Sequence, residues 1–287
     1  MRSIAFEAIV QAVERLCIDC AYELPSDVVA AINRAIQRER NSRAKEILNQ
    51  LLENARIALQ DRIPLCQDTG LVVVFVEMGR DALVAPPEDR PNATLIDAIQ
   101  EGVAAGYDKG LLRKSVVAEP VKDRKNTGTN TPAIVHLSFV SGDEIKITLM
   151  AKGGGCENKS AFRVFKPTQS REEIMDWVVD VVARAGADAC PPFVVGVGLG
   201  GDFEVSCLLA KKALLRNIGQ SNAEPFYAEM EQMLLAKVNA LGIGPQGLGG
   251  DTTALSIQIE TAPCHIASLP AAVNIECHSH RHKSIML

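Results

Sequence analysis

The sequence predicts an α+β fold, with an N-terminal helical bundle followed by mixed helices and small, mostly antiparallel sheets. Residues from Ser3 to about Gln60 repeat apolar side chains at three- and four-residue spacing, the period of an amphipathic helix. Beyond Pro64, strand-like and helical runs follow one another without the strict alternation of a doubly wound sheet. Ile134 to Val140 and Ile145 to Met150 alternate on either side of Ser141-Gly142-Asp143, which signals a hairpin.

Each element has its own signal. Ile9, Val13 and Leu16 mark a first helix, Pro25-Ser26-Asp27 a turn and N-cap before Val28 to Ile36, and Ile47, Leu51, Leu52 and Ile57 a third helix. Leu71 to Glu77 reads as a buried strand and Thr94 to Tyr107 as an amphipathic helix. After the hairpin come a helix over Arg171 to Ala185, a strand over Phe193 to Val197, and helices near Phe203 to Leu215 and Glu224 to Leu241. The last strand is Ala254 to Glu260. This organisation gives a helical segment over 1–60 packed on a main domain over 61–287.

Composition narrows the function classes. At 287 residues, with 47% hydrophobic and 23% charged side chains, the chain can bury a core and is not a disordered segment. With 30 Lys+Arg against 35 Asp+Glu the formal charge is −5, so a nucleic-acid partner, which needs a basic face, is not expected. The longest apolar run, Leu71 to Val76, falls far short of the roughly 20 residues that span a bilayer, so no membrane is expected either. Met1-Arg2-Ser3-Ile4-Ala5-Phe6-Glu7 meets an acid too soon for a secretory signal, which leaves the cytoplasm as the default.

Eight cysteines in a reducing compartment point to free thiols, metal ligands or catalytic groups rather than disulfides. They stand at 17, 20, 66, 156, 190, 207, 264 and 277, a spacing wrong for a zinc ribbon and compatible with a site assembled from several loops. Cys17 and Cys20 fall inside a helical pattern with no second pair to complete four ligands, and read as helix residues; Cys207 reads as a buried thiol. Cys277-His278-Ser279-His280-Arg281-His282-Lys283 carries three of the five histidines and reads as a solvated basic tail.

Four segments carry the chemistry. Pro64-Leu65-Cys66-Gln67-Asp68-Thr69-Gly70 gathers a thiol, an amide and a carboxylate before a buried strand, where Asp68 could equally cap its own turn. Lys152-Gly153-Gly154-Gly155-Cys156-Glu157-Asn158-Lys159-Ser160 frees backbone N–H groups to meet an anion, with Asn158 or Ser160 available to cap a following helix. Ala189-Cys190-Pro191-Pro192 stiffens a thiol-bearing loop before a strand ending in Gly196-Val197-Gly198-Leu199-Gly200-Gly201. That run imitates a phosphate loop but lacks the acid expected about twenty residues on. His265 precedes Cys277 by twelve residues, flanking Ser268-Leu269-Pro270.

Together with Leu112-Arg113-Lys114-Ser115 and Asn126-Thr127-Gly128-Thr129-Asn130, these segments resemble the iron–sulfur-dependent class I fumarase and tartrate dehydratase family. The likeness is to the N-terminal half that many organisms encode as a separate alpha subunit. The resemblance covers nearly the whole chain from Phe6. It implies that Cys66, Cys190 and Cys277 hold a [4Fe-4S] cluster, leaving one iron free to act as a Lewis acid. It implies that Gln67, Asp68, Arg113 and the backbone at Gly155 contact a small dicarboxylate, with Asp68 and His265 as catalytic groups. The implied reaction is reversible hydration of fumarate to malate, with tartrate or mesaconate dehydration as alternatives. Where fumarases usually carry serine after the glycines this chain has Cys156, and tartrate dehydratases can carry cysteine there, while Asn158-Lys159 looks more like the fumarase version. The family's C-terminal domain, which supplies the catalytic base, is not among these residues, so the resemblance implies a beta subunit and a dimer of heterodimers. A different class of reading is a non-catalytic zinc or thiol-redox module built on Cys17, Cys20 and the histidine-rich tail.

Overall fold

The computed structural model describes residues 1–287. In chain order the elements are β1 (Arg2–Ala5), α1 (Phe6–Tyr22), α2 (Ser26–Arg38), α3 (Ser42–Asp61), β2 (Leu71–Gly79), β3 (Ala82–Ala85), α4 (Leu95–Lys109), β4 (Ile134–Val140) and β5 (Ile145–Lys152). There follow α5 (Gly154–Glu157), β6 (Ala161–Phe165), α6 (Arg171–Ala185), β7 (Phe193–Gly201), α7 (Phe203–Ala213), α8 (Pro225–Asn239), β8 (Ala254–Cys264), β9 (Leu269–Glu276) and β10 (His282–Met286). The fold is α+β, as the sequence predicts. No helix is long and apolar enough to cross a membrane.

The chain forms two compact units that interleave in sequence: Met1–Leu24 with Ala55–Gly153 and Arg281–Leu287, and Pro25–Asn54 with Gly154–His280. These differ from the expected segments 1–60 and 61–287, because α1 and α2 are consecutive helices yet belong to different cores. Local periodicity reports that a helix has an apolar face and says nothing of which core receives it.

In the first unit a four-stranded sheet runs β10-β5-β2-β4. β5 is buried along almost its whole length, and its Ile145, Ile147 and Leu149 share a core with Ile9 and Val13 of α1 and Ile99 and Val103 of α4. The two helices meet through glycine: a Cβ at Gly102 would lie 2.6 Å from Val13 Cβ, and one at Gly106 would lie 2.7 Å from Cys17 Cβ. Thr94 caps α4 in a reciprocal box with Asp97, satisfying two backbone donors.

The expected hairpin of β4 with β5 does not form. β2 lies between them, parallel to β4 and antiparallel to β5, so the Ser141 to Glu144 connection spans two strand spacings, about 10 Å. The connection crosses the end of β2, where a Cβ at Gly79 would come within 2.5 Å of Gly142 O. Nor is the C-terminus a solvated tail: Ser279, His280 and Arg281 are buried, and β10 pairs antiparallel with β5 from His282↔Met150 to Met286↔Lys146.

The second unit is built on the sheet β6-β9-β7-β8. β7, buried throughout except at its last residue, pairs with β9 on one side and β8 on the other. Its glycines admit helix α7, since Cβ atoms at Gly196 and Gly198 would lie 1.9 Å from Ala210 O and 2.0 Å from Ser206 O. The glycine run is therefore a helix-packing strand and not a phosphate loop; Asp202 then caps α7 through the Glu204 and Val205 N–H groups. Asn158 and Ser160 cap no helix, because β6 follows at Ala161.

Candidate functional site

In the first unit the loop from Cys66 to Gly70 is held from three directions. Tyr107, buried on α4, donates its hydroxyl to Thr69 O at 2.7 Å and lies 3.0 Å from Gly70 O. Asn130 donates to Gly70 O at 3.2 Å and accepts the Ser115 N–H at 2.7 Å, while Thr69 Oγ1 donates to Arg113 O at 2.7 Å. Gly70 adopts φ +83° with its α-carbon against the end of β5, where a Cβ would lie 2.9 Å from Lys152 N. Three of the motifs singled out in the sequence, at 66–70, 112–115 and 126–130, are thus one hydrogen-bonded cluster. It carries half-buried Cys66 and Asp68 and exposed Gln67 and Arg113. Cys66 Sγ lies 3.4 Å from Gln67 Oε1, and Asp68 Oδ1 accepts the Gly70 N–H at 3.0 Å, so the self-capped turn is present too.

In the second unit the start of β7 and the end of β9 are neighbours, because Val194 pairs with Glu276. This brings the Cys190 loop beside Cys277. The His278 N–H donates to Cys190 O at 3.3 Å and His278 Nδ1 lies 3.1 Å from the same carbonyl. Gln246 Nε2 contacts both His278 Nδ1 at 3.0 Å and Pro191 O at 2.9 Å. Cys190 is exposed with φ 56°, a left-handed conformation, immediately before two prolines. Gly155, exposed in α5, has only Asp188 O within reach of a Cβ, at 4.0 Å, and Lys159 reaches the Asp188 carboxylate at 3.1 Å. Gly155, Cys190 and Cys277 are therefore grouped at one end of this unit.

His265 is not brought to that group. It sits exposed in the β8–β9 turn, its Nδ1 accepting the Ala267 N–H at 3.1 Å. That turn adjoins Gly201, which pairs with Cys264 at the far end of β7, about 26 Å along the strand from the Cys190 end. Cys17 and Cys20 are buried in α1, as helix residues. Burial pushes both thiols up, Cys20 to about 12, so both keep their protons at neutral pH and make poor metal ligands. Cys207 is half-buried in α7 rather than fully enclosed, and Cys264 is exposed at a strand end.

Sequence reasoning missed Tyr107, the role of Asn130, Gln246 and the role of His278. The first two point at backbone carbonyls of a loop distant in sequence, a relation with no periodic signature. It also missed Glu276, a fully buried acid whose Oε1 lies 3.5 Å from Cys156 Sγ and 3.9 Å from Cys277 Sγ.

Residues 10–286 match the profile of the family described as "Fumarate hydratase (Fumerase)". The "Putative L(+)-tartrate dehydratase subunit alpha" of Methanocaldococcus jannaschii is 40% identical over 266 residues, covering 92% of each chain. The L(+)-tartrate dehydratase subunit alpha of Escherichia coli O157:H7 is 32% identical over 266 residues, 92% of this chain and 86% of its own length. That of Escherichia coli strain K12 is 31% identical over the same shares. With the family profile matched over residues 10–286 and relatives 31–40% identical over 92% of its length, this chain belongs to the class I fumarate hydratase family, whose members are iron–sulfur-dependent hydro-lyases.

Proposed function

We propose that this chain is the alpha subunit of an iron–sulfur hydro-lyase that reversibly hydrates fumarate to malate, acting with a beta subunit in a dimer of heterodimers in the cytoplasm. The observation that carries the reading is the clustering of the family's motif residues within each unit. The loop that carries Cys66, Gln67 and Asp68 is tied through Thr69 to the Arg113 backbone, and Cys190 O is tied to His278, the residue after Cys277. The beta subunit is supported by the relatives, which are named as alpha subunits.

Cys66, Cys190 and Cys277 would hold a [4Fe-4S] cluster. The donor set fits: these thiols stand on loops or at a strand end with solvent access, unlike the enclosed thiols of α1. When bound, such a cluster supplies an iron without a thiolate, a Lewis acid for the substrate's hydroxyl oxygen. The chain's own residues do the rest. Arg113 presents a forked pair of donors to one substrate carboxylate, and the Gln67 amide donates to the same group. The Asp68 carboxylate, oriented by the Gly70 N–H, accepts a hydrogen bond from the substrate's hydroxyl, which keeps its proton as it leaves. The Gly155 N–H, with no side chain beside it, approaches the substrate closely. The proton on the neighbouring carbon passes to a base on the beta subunit.

A second reading, dehydration of tartrate, is favoured by the names of the relatives and by Cys156; mesaconate is the methyl-substituted variant of the same chemistry. Assay of the anaerobically reconstituted pair on malate, tartrate and methyl-substituted diacids separates them, and negligible malate turnover rejects the fumarate reading. Reconstitution should yield about four irons and four sulfides per chain. A Cys190→Ser variant with undiminished cluster content would overturn the ligand assignment.

A further inference from the structure

We propose that Cys156, Glu276 and Cys277 form a mononuclear site for a thiophilic divalent cation, zinc first among them, in chains that carry no cluster. The three residues belong to the second unit, where α5 lies against the end of β9. Their donor atoms all fall within 4.8 Å of one another, with Cys156 Sγ 3.5 Å and Cys277 Sγ 3.9 Å from Glu276 Oε1. Zinc binds sulfur at about 2.3 Å and carboxylate oxygen at about 2.0–2.2 Å, so tetrahedral angles place sulfur about 3.5–3.7 Å from oxygen. Both sulfur–oxygen spacings present therefore lie within a few tenths of an ångström of that requirement.

The donor chemistry selects the ion. Two thiols and one carboxylate suit zinc or cobalt, whereas magnesium and calcium want oxygen throughout. Cys156 and Glu276 are 3% and 0% exposed, and half-buried Cys277 provides the entry, leaving the fourth position to water. Each zinc–sulfur bond that forms replaces an S–H bond, so loading releases one proton per thiol to solvent. On the reading of Cys277 as a cluster ligand, which this last step rests on, zinc and cluster exclude one another, and zinc arrests a subunit before its cluster is assembled.

The test uses the full chain freed of metal under anaerobic reducing conditions. Zinc is titrated against a chromophoric chelator, and cobalt is followed by its optical spectrum. One equivalent should bind, with sulfur-to-cobalt charge-transfer bands and intense tetrahedral ligand-field bands. Cys156→Ser and Glu276→Gln should each weaken zinc about tenfold or more, with unchanged far-ultraviolet circular dichroism. Cys190→Ser should bind zinc as the wild type does. The proposal is overturned if the wild-type chain takes up no stoichiometric zinc, if both substitutions leave zinc affinity unchanged, or if Cys190→Ser abolishes binding, which would place zinc on the cluster thiols. The same Cys190→Ser protein reports on the cluster separately: retained cluster content with intact zinc binding defeats the cluster ligand assignment and leaves the zinc site standing.

Discussion

Tyr107→Phe removes a single oxygen from the interior of the first unit and tests whether α4 holds the Cys66 to Gly70 loop. Tyr107 is 1% exposed, and burial pushes its hydroxyl far above the ordinary range, so it remains a hydrogen-bond donor at every working pH. Two carbonyls depend on it unequally. Gly70 O keeps the Asn130 amide at 3.2 Å, whereas the Thr69 carbonyl loses the buried donor at 2.7 Å. A buried neutral hydrogen bond contributes about 1 kcal/mol net, and leaving its acceptor unsatisfied costs about 1–3 kcal/mol. A loss of about 2 kcal/mol follows, roughly a 30-fold drop in the folding equilibrium. Urea unfolding of the chain gives that number directly. In the reconstituted enzyme, kcat/KM should fall about tenfold although Tyr107 is assigned no contact with substrate, because a shifted loop misplaces Asp68. A Tyr107→Phe chain within about 0.5 kcal/mol of wild type and with unchanged kcat/KM would refute the claim that this hydroxyl fixes the loop.

Two glycines should behave oppositely. Gly198→Ala would drive a Cβ to 2.0 Å from Ser206 O and 2.6 Å from Ala210 N, both backbone atoms, so α7 must lift from β7. The cost is about 3 kcal/mol, read as a lowered urea midpoint. Gly155→Ala meets nothing closer than 4.0 Å and should unfold within about 0.5 kcal/mol of wild type, while raising KM of the reconstituted enzyme about tenfold if the backbone there faces substrate. Cys20 governs part of the alkaline limb. Its folded thiol holds the proton to about pH 12, whereas the unfolded chain releases it near 9.0. Folded chains therefore bind more protons across that interval, and stability present below pH 9 is lost toward pH 12 by up to about 1.4 kcal/mol per pH unit. Cys20→Ala should reduce the loss of urea stability from pH 9 upward, with Cys17, Tyr107 and Cys207, whose protons burial also holds, contributing to the slope that remains.

What the sequence could and could not disclose follows from the range of the interactions. Helix α6 lies at Arg171–Ala185, where its 3.6-residue apolar period and Ser170/Glu173 capping box put it, since both signals are local. The strand run Leu71 to Glu77 was legible for the same reason and extends only to Gly79. Strand partners are another matter. β4 and β5 alternate like a hairpin, yet β2, from sixty residues upstream, takes the place between them. The burial of His280 was illegible because its partner, Leu214 O at 2.8 Å, is a backbone carbonyl at the end of a distant helix. At the candidate site, residue types at the loops were visible, as the clustering of 66–70 with 112–115 and 126–130 bears witness. The carbonyl ties that do the clustering were not.

The eight cysteines show how burial, rather than spacing, decides what a thiol can do. Cys17 and Cys20 have the spacing of a metal or redox pair, but α1 encloses them, and a desolvated thiolate is costly enough that both stay protonated at neutral pH. A zinc or redox module built on them would first have to unpack α1 from α4, whose Gly106 leaves Cys17 no room to turn outward. Cys66, Cys190 and Cys277 have no informative spacing, and each is reachable from solvent. Cys156 is the intermediate case: buried like the first pair, yet facing an acid and a half-exposed thiol instead of a hydrocarbon core. Metal uptake, in which a metal–sulfur bond replaces the S–H bond and the proton goes to solvent, is therefore the property by which Cys156 should be judged, and not reactivity toward thiol reagents.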